Sequence, residues 1–464
     1  MMDLASAAGI VSGQLVGPNA RFRRVVTDSR ALEPGDLFVA LVGERFDGHD
    51  FVARVLASGA AGAMVAAGRF EALKATAGAG GALLAVDDTL ASLGQLAAAW
   101  RSRFTLPVVL VVGSNGKTTV KEMTAAILAR HFGDEHVLAT RGNLNNAIGL
   151  PLTLLRLRES HRAAVIELGM NHRGETAELA PLVAASVVIV NNAQREHLEF
   201  LAGIDEVATE HADALCTLRP GGTAVLNADD AHCEHWAAVA EQHAARVLRF
   251  GFAPEADIHG EVESHVDRSE IMLRTPAGNA FIELHVPGVH MARNALAAAA
   301  AASAIGVPLS CVVSGLDAFR AVRGRLTVHE GTLGVRVIDD SYNANPDSVR
   351  AAIDVLVRAG GERWLVLGDM GEIGTQGPAF HREIGGYARM AGINRLYAAG
   401  DAAREAVEAF GHDAAWHGGD VEALAVRVRD DARAGITVLV KGSRFMGMER
   451  VVAALLDQAA AGGH

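Results

Sequence analysis

The stretch LPVVLVVGSNGKTTVKEMTAAILARHF, residues 106–132, decides the fold. Its first seven residues are an apolar, β-branched run typical of a buried strand, and the apolar residues after the loop recur at helical spacing. Between them, Gly113 and Gly116 bound a short loop that is followed by Lys117 and Thr118. A loop in this setting directs backbone N–H groups and the positive end of the helix dipole to one place. The stretch therefore predicts an α/β domain that holds a nucleotide phosphate.

One position of this loop departs from the common phosphate-binding pattern. In G-x-x-x-x-G-K-[ST] a glycine stands five residues before the second glycine, and here that place is taken by Val111. A bare turn is therefore the alternative interpretation. Lys117 would add a positive charge at a bound phosphate and the Thr118 hydroxyl could join Mg²⁺, so the residues favour the phosphate site.

Length and composition exclude several classes of protein. The chain has 464 residues, which suits about three domains. Its formal net charge of −12 and aromatic content of 5% argue against a nucleic-acid surface, which needs basic stripes and stacking rings. The three cysteines form no C-x-x-C pair, and this indicates a reducing compartment. The N-terminus is a poor secretory signal, and the apolar tract 295–307 is too short to cross a membrane. We therefore expect a cytoplasmic enzyme without a membrane span.

The chain divides into three units. Residues 1–85 alternate turn residues with short apolar strands, and the helix TLASLGQLAAAWRSRF leads from them to the glycine loop. Strand and helix alternate over residues 86–322, which favours a mostly parallel sheet, and a second such series fills residues 323–464. The expected fold is α/β with three domains: a small N-terminal α/β domain, a central P-loop domain with a parallel sheet, and a C-terminal Rossmann-like sheet.

Polar residues follow the predicted strands of both larger sheets. In the central unit the strands lead into GSNGKTT, MNHRGE, AQREHLEF and ADDAH, and in the last unit into DDSYNANP, GDMGEIG, AGDAA and KGSRFMG. Ligands of open α/β sheets bind outside the carboxyl ends of the strands. We therefore expect two facing sheets with a cleft that closes on substrates.

Two strand-end residues are candidates for metal or phosphate contacts. Glu167 ends an apolar strand, where an unpaired carboxylate is costly, so it needs a cation partner. With Thr118 and a triphosphate it could hold Mg²⁺, and the alternative is a salt bridge to an arginine. His197 ends the next strand and suits a second metal or a transferring phosphoryl group, whereas an ordinary surface histidine is the alternative.

Asn294, Arg325 and Asp340 form a further group near the start of the last unit. Arg325 lies in the tight GRL turn between the two sheets, where its fork of donors could reach a phosphate held by the facing domain. Asp340 could accept from a ribose hydroxyl or orient Arg325. An ion pair at the domain interface remains the alternative.

Three amides lie close together in TRGNLNNAIGLPLTLL, residues 140–155. Asn143, Asn145 and Asn146 precede an apolar helix, so they could simply cap it. They could also bind a peptide or a sugar.

Nine motifs together resemble one family across nearly the whole chain. They occur in the order found in Mur ligases, and so many in order are highly specific: GSNGKTTVKEM, TRGNLNNAIGLPLTLL, IELGMNHRGE, LNADD, PGVHMARNALAAAA, GRL, DDSYNANPDSV, LGDMGEIG and VLVKGSRFMGMERVV. The resemblance is greatest to the members that join D-Ala-D-Ala to a UDP-N-acetylmuramoyl tripeptide in peptidoglycan synthesis.

The resemblance implies a reaction and its cofactors. ATP would phosphorylate the terminal carboxylate of the UDP-linked tripeptide, and the amine of D-Ala-D-Ala would displace phosphate from the acyl phosphate. The residues agree with this chemistry, because two anions can meet only if Lys117 and Mg²⁺ offset their repulsion. No nucleic acid takes part, and a monomer is the family expectation.

The resemblance also implies roles for individual residues. Thr118 and Glu167 would hold one Mg²⁺ and His197 a second, and Asn294, Arg325 and Asp340 would engage ATP from the other side. ATP phosphates would lie against Gly113, Ser114, Asn115, Gly116, Lys117, Thr118 and Thr119. The substrate-binding residues would be Ser29, Arg30, Asp47 and His49 for UDP, Asn143, Asn145 and Asn146 for the muramoyl peptide, and Tyr342, Asn343, Asn345 and Asp369 for the dipeptide.

One position departs from the family pattern. Many Mur ligases have a lysine, carbamylated so that it bridges the metal ions, about fourteen residues after the strand-end histidine. Here that place is taken by His211. Either a neutral His211 supports the metal or phosphate directly, or the second metal is held in another way.

Three competing interpretations remain. A ligase that adds the third peptide residue, or glutamate to folate, is disfavoured because DSYNANP occupies the place of the D-[DN]-P-R segment of enzymes that add diaminopimelate. A simple P-loop phosphotransferase would leave DDSYNANP and KGSRFMG unexplained. A scaffold without catalysis, suggested by the missing lysine, is disfavoured by the presence of Lys117, Thr118, Glu167 and His197.

Overall fold

The computed structural model describes residues 1–76 and 81–457 and contains three separate β-sheets, one for each predicted unit. The three-domain α/β architecture predicted from the sequence is thereby confirmed. The predicted boundary at residue 85 falls inside the last strand of the first sheet, and the boundary at residue 322 falls in a loop between two sheets. The last seven residues of the third unit, 458–464, lie outside the described residues.

The N-terminal domain contains a five-stranded sheet in the order β1-β5-β4-β3-β2. Strand β1 runs antiparallel to β5, and the other neighbours are parallel. Its elements are α1 (Leu4–Ile10), β1 (Gln14–Val16), β2 (Val25–Val26), β3 (Leu37–Val39), α2 (Val52–Ala57), β4 (Gly62–Ala66), α3 (Ala67–Thr76) and β5 (Leu83–Val86).

The predicted linker helix is α4 (Thr89–Arg101). The Asp88 side chain accepts hydrogen bonds from the backbone N–H groups of Leu90 and Ala91, which begins the helix. The Arg101 guanidinium is buried and donates to the carbonyl oxygens of Val183 and Ala184 in the central domain. The C-terminal end of the linker helix is therefore docked on the central domain.

The central domain contains a nine-stranded sheet in the order β14-β13-β12-β11-β10-β9-β6-β8-β7. Its strands are β6 (Val108–Val112), β7 (Val137–Ala139), β8 (Ala163–Glu167), β9 (Val187–Val190), β10 (Thr223–Asn227), β11 (Arg246–Gly251), β12 (Ile258–Ser264), β13 (Ser269–Thr275) and β14 (Gly278–Leu284). Its helices are α5 (Lys117–Phe132), α6 (Gly149–Leu154), α7 (Glu175–Val183), α8 (Ile204–Asp213), α9 (Cys233–Gln242), α10 (Val289–Ala304) and α11 (Leu309–Ala318).

The prediction of a parallel central sheet needs one correction. Strands β6 to β12 pair in parallel, but β12, β13 and β14 form an antiparallel meander at one edge. Alternate residues of β13 are buried, so this strand packs on the core with one face only. The four strands around the glycine loop, β6, β8, β9 and β10, are buried throughout and therefore read as continuous apolar runs.

The C-terminal domain contains a six-stranded sheet in the order β15-β16-β20-β17-β18-β19, parallel except for the β15 and β16 pair. Its strands are β15 (Thr327–Glu330), β16 (Arg336–Asp340), β17 (Glu362–Gly368), β18 (Arg395–Ala399), β19 (Ala414–Trp416) and β20 (Ile436–Lys441). Its helices are α12 (Pro346–Leu356), α13 (Gly377–Met390), α14 (Arg404–Phe410), α15 (Val421–Asp431) and α16 (Glu449–Leu455).

The alanine-rich tract is a packed helix, as the sequence predicts. It forms most of α10, and nearly all of its alanines are buried between α5 and the central sheet. Small side chains let helices approach closely, which explains the composition of this helix. Within residues 1–76 and 81–457, no helix is long and apolar enough to span a membrane.

Candidate active site

A cavity of about 580 Å³ lies where the central and C-terminal sheets face each other. It opens at the carboxyl ends of β6, β8 and β9 in one domain and of β16 and β20 in the other. Many residues singled out in the sequence line it: Ser114, Asn115, Gly116, Lys117, Thr118, Thr119, Asn143, Asn145, Asn146, Glu167, His197, Asn294, Arg325, Asp340, Tyr342, Asn343 and Asn345. Gly113, His211, Asp369 and the four N-terminal candidates are not among its lining residues.

The glycine loop takes a backbone conformation that side chains would oppose. Gly113 has φ +134° and Gly116 has φ +83°. A Cβ at Gly116 would lie 2.5 Å from Oδ1 of Asn294 and 2.8 Å from Nδ2 of Asn191, and one at Gly113 would lie 2.9 Å from Cβ of Asn191. Glycine is therefore required at both positions. The N–H groups that follow Gly116 begin α5, so the loop has the geometry of an anion site.

Two asparagines at the end of β9 hold this loop in place. The buried Asn191 donates through Nδ2 to the carbonyl oxygen of Asn115 (2.8 Å) and to Oδ1 of Asn294 (3.0 Å). The backbone N–H of Asn115 in turn donates to Oδ1 of Asn192 (2.8 Å). Sequence analysis did not assign a role to Asn191 or Asn192, although their position directly after a buried strand was a visible signal.

Lys117 contacts its own loop and a buried acid. Its Nζ donates to the carbonyl oxygens of Gly113 (2.5 Å) and Ser114 (3.1 Å), and it lies 3.5 Å from Oε2 of Glu196. The ammonium group therefore lies within the phosphate loop, where it can reach a phosphate group by a rotation of its own side chain.

Glu167 has one carboxylate oxygen to spare. Its Oε1 accepts a hydrogen bond from Nδ2 of Asn145 (2.7 Å), whereas the buried Oε2 has no hydrogen-bond partner among the residues that the structure describes. Among the described residues Glu167 forms no salt bridge to an arginine, which was the alternative that the sequence left open. Glu167 and Thr118 line the same cavity, and carboxylate and hydroxyl oxygens are donors that Mg²⁺ prefers.

The three amides have different roles. Asn145 binds Glu167, and Asn146 accepts through Oδ1 from the backbone N–H groups of Ile148 (3.2 Å) and Gly149 (2.9 Å), which begin α6. The capping alternative therefore holds for Asn146. Asn143 lines the cavity, and among the described residues its side chain forms no hydrogen bond with the start of α6.

His197 lies between the two domains. Its φ of +51° is unusual for a residue with a side chain, and such backbone strain concentrates at functional sites. Its Nδ1 lies 2.9 Å from Oε2 of Glu372 in the C-terminal domain, and this contact lowers the pKa of Glu372. With a proton on Nδ1, the Nε2 atom keeps a lone pair for a metal ion.

Glu196 was missed by the sequence analysis. Its carboxylate is 7% exposed and faces Lys117, His197 and His211. Burial alone would raise the pKa of this carboxyl group, but Lys117 and the two imidazoles lower the pKa to about 2. The group is therefore a carboxylate at every physiological pH.

His211 lies behind Glu196, away from the cavity. It is 1% exposed, and its Nε2 is 3.5 Å from Oε1 of Glu196. Burial lowers the pKa of His211, against the opposing effect of Glu196, so the imidazole is neutral near pH 7. The structure thus separates His211 from the cavity by one carboxylate.

The C-terminal side of the cavity carries two cations. Nζ of Lys441 donates to Oδ2 of Asp340 (2.6 Å) and to the carbonyl oxygen of Asn343 (2.9 Å). Burial raises the pKa of Asp340, although Lys441 and Arg325 act in the opposite direction. Arg325 stacks on the ring of Tyr342, with its guanidinium carbon 4.3 Å from the ring centroid. The partner of Asp340 is thus a lysine of its own domain, which sequence analysis did not assign.

Further direct contacts join the domains beside the cavity. Asn115 and Asn345 exchange hydrogen bonds between their side-chain amides, at 2.9 and 3.2 Å. Arg195 forms a forked contact with Asp347 and donates to Glu383 (2.7 Å). Arg195, Asp347 and Glu383 carry no local pattern in the sequence that would have identified them.

Asp369 lies outside this cavity. Its Oδ1 accepts from the backbone N–H of Ala403 (2.7 Å), and a Cβ at Gly400 would lie only 2.2 Å from its carboxylate carbon. The carboxylate thus fixes the loop that follows β18.

The four N-terminal candidates lie in the first domain, where each has a side-chain partner. Arg30 pairs with Asp28, and Oγ of Ser29 accepts from Arg54 (2.7 Å). His49 is buried and accepts at Nε2 from the backbone N–H of Ala66, so its proton is on Nδ1, 2.5 Å from Oδ1 of Asp47. Asp47 also accepts from Arg69 (2.8 Å), so both oxygens of its carboxylate have partners.

Comparison with family models gives three matches in the order of the domains. Residues 21–101 match the Mur ligase family catalytic domain, residues 111–302 the Mur ligase middle domain, and residues 324–444 the Mur ligase glutamate ligase domain. Each match covers most of one of the three sheets.

Characterised proteins and solved structures resemble the chain over its full length. The UDP-N-acetylmuramoyl-tripeptide–D-alanyl-D-alanine ligase of Escherichia coli is 40% identical, over 98% of both chains, and the Bacillus subtilis ligase of the same name is 31% identical, over 97% of both. A crystal structure of MurF from Acinetobacter baumannii is 34% identical, covers 98% of this chain and 99% of its own, and superposes with a TM-score of 0.90. MurF of Thermotoga maritima in complex with ADP is 25% identical, with a TM-score of 0.80 over 94% and 97% of the two chains.

Proposed function

The chain belongs to the Mur ligase family, and we propose that it joins D-Ala-D-Ala to a UDP-N-acetylmuramoyl tripeptide with consumption of ATP. The product is the UDP-muramoyl pentapeptide used in peptidoglycan synthesis, and the by-products are ADP and phosphate. Similarity over 98% of the chain to a ligase named for these two substrates supports the assignment. The proposed location is the cytoplasm and the proposed state is a monomer.

One observation carries this proposal most directly. A single cavity joins the phosphate loop and Glu167 of the central domain to Arg325 and Lys441 of the C-terminal domain. A phosphotransferase would need only the first half of this cavity. Residues from both domains around one space suit a reaction in which a second substrate must meet the product of phosphoryl transfer.

The chemistry starts from a poor acyl donor. The terminal carboxylate of the tripeptide attacks the γ-phosphorus of ATP, so that ADP leaves and a mixed anhydride forms. The amine of the dipeptide then attacks the carbonyl carbon, and the tetrahedral adduct expels phosphate as the nitrogen loses its proton. Lys117 and Arg325 stabilise negative charge on the phosphoryl oxygens through both steps.

Magnesium fits the donors around the loop. Thr118 and Glu167 would hold one ion, since Glu167 offers an oxygen that lacks a partner among the described residues, and His197 would hold a second. Bound Mg²⁺ would supply positive charge that offsets the repulsion between the carboxylate and ATP. Glu167 ends β8 and His197 follows β9, two buried strands that flank β6 in the sheet, while Thr118 lies in the first turn of α5.

The remaining substrate contacts follow from the domain arrangement. We propose that Ser29, Arg30, Asp47 and His49 bind or support the UDP end, with His49 acting from behind Asp47 because it is buried. Asn143 and Asn145 would face the muramoyl peptide. Tyr342, Asn343, Asn345 and Asp369 are proposed for the dipeptide, and among them Asp369 acts through the loop after β18.

Phosphate release tests the proposal. Purified protein is incubated with ATP and Mg²⁺ and with the UDP-muramoyl tripeptide, D-Ala-D-Ala, both or neither. Released phosphate is measured, and the products are identified by mass spectrometry. We expect phosphate and the pentapeptide mass only when both are present, and neither from Lys117→Ala. Release without the dipeptide would indicate a phosphotransferase, and no release from the wild type would indicate a scaffold.

A further inference from the structure

A buried carboxylate faces the cavity with too few partners. Glu196 lines the cavity beside His197, and both residues follow the end of β9. Three nitrogen atoms surround its carboxylate: Nζ of Lys117 at 3.5 Å, Nε2 of His197 at 3.7 Å and Nε2 of His211 at 3.5 Å. Its Oε1 has no hydrogen-bond partner in residues 1–76 and 81–457. Buried carboxylates are expected to be fully hydrogen bonded or to contact a cation.

We propose that Glu196 is a ligand of the divalent cation that binds beside His197, and that His211 is the positioning residue that holds the Glu196 carboxylate. This inference rests on the proposed function, because it adds an oxygen ligand to the second metal position of that site. In this proposal the carboxylate of Glu196 takes the place of the carbamylated lysine that many Mur ligases have at the position of His211.

Charge balance favours a metal ligand over a simple counter-ion to Lys117. A bound phosphate would draw the Lys117 ammonium away from Glu196, because the ammonium lies within the phosphate loop. The carboxylate would then remain buried beside two imidazoles with no cation. Leaving a buried charge unpaired is strongly unfavourable, so a cation must replace the ammonium, and carboxylate oxygen is a preferred ligand of Mg²⁺.

The neighbouring histidines have different positions relative to this site. Nε2 of His197 points toward Glu196, while Glu372 of the C-terminal domain lies 2.9 Å from its Nδ1. His197 can therefore offer Nε2 to a metal ion. His211 does not line the cavity and faces it only through Glu196. Its action must therefore pass through the carboxylate.

Manganese binding tests the inference without relying on catalysis. Mn²⁺ is titrated into the full chain with β,γ-methylene-ATP, which has no cleavable γ-phosphate bond, and free Mn²⁺ is measured by electron paramagnetic resonance. We expect two Mn²⁺ per wild-type chain. In Glu196→Gln and in His197→Ala the weaker site should lose at least about tenfold in affinity, while the tighter site is kept. Glu199→Gln, the same change on an exposed residue three positions away, should behave as wild type.

A second measurement separates loss of a ligand from damage to the fold. Without metal, β,γ-methylene-ATP should bind Glu196→Gln as tightly as wild type or more tightly, because Lys117 no longer has an acidic partner. A variant with a disturbed loop would bind more weakly. His211→Ala should weaken the second Mn²⁺ site, and His211→Gln, which keeps a donor toward Glu196, should restore most of the affinity.

The outcomes of the two proposals are distinguishable. If the wild type forms the pentapeptide but Glu196→Gln binds the second Mn²⁺ normally, the inference is wrong and the function stands. The same holds if the wild type binds a single Mn²⁺ that His197→Ala does not affect. If the wild type forms no pentapeptide under any condition, the proposed function fails whatever the manganese titration gives.

Discussion

A single methyl group added at position 116 would enter the centre of the phosphate loop. Gly116 has φ +83°, and its Cβ would meet the side chains of Asn294 and Asn191 at 2.5 and 2.8 Å. Gly116→Ala should therefore distort the loop, at a cost of about 1–3 kcal/mol, and weaken nucleotide binding by at least about tenfold. Isothermal titration with β,γ-methylene-ATP measures this loss.

Gly174 provides the matched control for that change. It has a similar φ of +89°, but a Cβ there would meet nothing within 4 Å. Gly174→Ala should lower stability by about 1 kcal/mol, because alanine resists this backbone conformation, and leave nucleotide affinity unchanged. Equal effects of the two changes on affinity would contradict the role given to the Asn191 and Asn294 contacts.

The lowered pKa of His290 predicts that the protein becomes less stable as the pH falls. Burial, together with Lys441 and Arg293, lowers the pKa of His290 to about 4. The unfolded chain binds the proton near pH 6.5, so the stability that neutral His290 provides is present above pH 6.5 and is lost as the pH falls toward 4. The slope for one such group is at most about 1.4 kcal/mol per pH unit.

Replacement of His290 should remove this part of the pH dependence. We expect the loss of stability between pH 7 and pH 5, measured from urea unfolding midpoints, to be smaller in His290→Gln than in wild type. His412→Gln, a change on the surface, serves as control and should keep the wild-type slope. The same slope in all three proteins would show that folding does not lower the pKa of His290.

At the scale of single residues, the sequence predicts groups at strand ends better than groups that act through a neighbour. Lys117, Glu167 and His197 each follow an apolar run, and all three line the cavity. Glu196 directly precedes His197 and follows the same apolar run. In the sequence AQREHLEF, however, a buried glutamate cannot be distinguished from a solvent-exposed one. Two residues that surround its carboxylate, Lys117 and His211, are distant from it in sequence.

Arg195 links two structural elements across the domain interface. It extends from the loop after β9 to Asp347 in the first turn of α12 and to Glu383 in α13, and it stacks on Phe380. Its contacts with Asp347 and Glu383 raise its pKa, in spite of burial. This network holds the loop after β9 against helices α12 and α13.

Loss of this contact should open the interface. Because the ion pairs are partly exposed, we expect Arg195→Met to cost about 2 kcal/mol of interdomain stability, to raise the Michaelis constants and to enlarge the radius of gyration in small-angle X-ray scattering. Arg350 also donates to Glu383 but belongs to the same domain as that residue. Arg350→Met should leave the radius unchanged, and an equal effect of both changes would argue against an interdomain role.

Helices and strands were predicted well where the pattern was continuous and less well where it was not. Strands β6, β8, β9, β10, β16, β17, β18 and β20 all fall within apolar runs that the sequence indicates. The meander β12 to β14 was missed because its outer face is polar, so half of each strand looks like a loop. An alternating pattern such as SEIMLRT was the available signal.

The arrangement of the whole molecule depends in part on one buried cation. Arg101 ends the linker helix and donates to three carbonyl oxygens, those of Phe104, Val183 and Ala184. Burial lowers its pKa to about 10, so it remains charged at neutral pH. It fixes the helix that connects the N-terminal domain to the central one.

Arg101→Met should therefore destabilise the protein by about 2–4 kcal/mol, because buried carbonyl groups lose their donors. Differential scanning calorimetry measures the loss. Arg103→Met is the control, since Arg103 is exposed and only covers the ring of Trp100, with 4.9 Å between guanidinium carbon and ring centroid. A similar change in melting temperature for both variants would disprove the docking role of Arg101.

Contacts between domains were beyond prediction from the sequence. Asn115 and Asn345 are 230 residues apart, and Arg195 and Asp347 are 152 apart. No local pattern encodes such pairs, because each residue alone is compatible with a solvated loop. The sequence predicts three domains and the sheet edges at which the site residues lie. The contacts that bring one domain against another are seen only in the structure.

The position of the Lys117 side chain has a consequence for selectivity in a crowded cell. Its ammonium group is already satisfied by two carbonyl oxygens of its own loop and by a nearby acid. An anion that binds Lys117 replaces these oxygen atoms as its partners. The free energy of binding therefore reflects only the difference between the new contacts and the contacts that are lost. Free inorganic phosphate and sulfate offer fewer contacts in this exchange than a nucleotide, which adds those of its base, sugar and further phosphates. We therefore expect the internal contacts of Lys117 to weaken the binding of small anions more than that of a nucleotide.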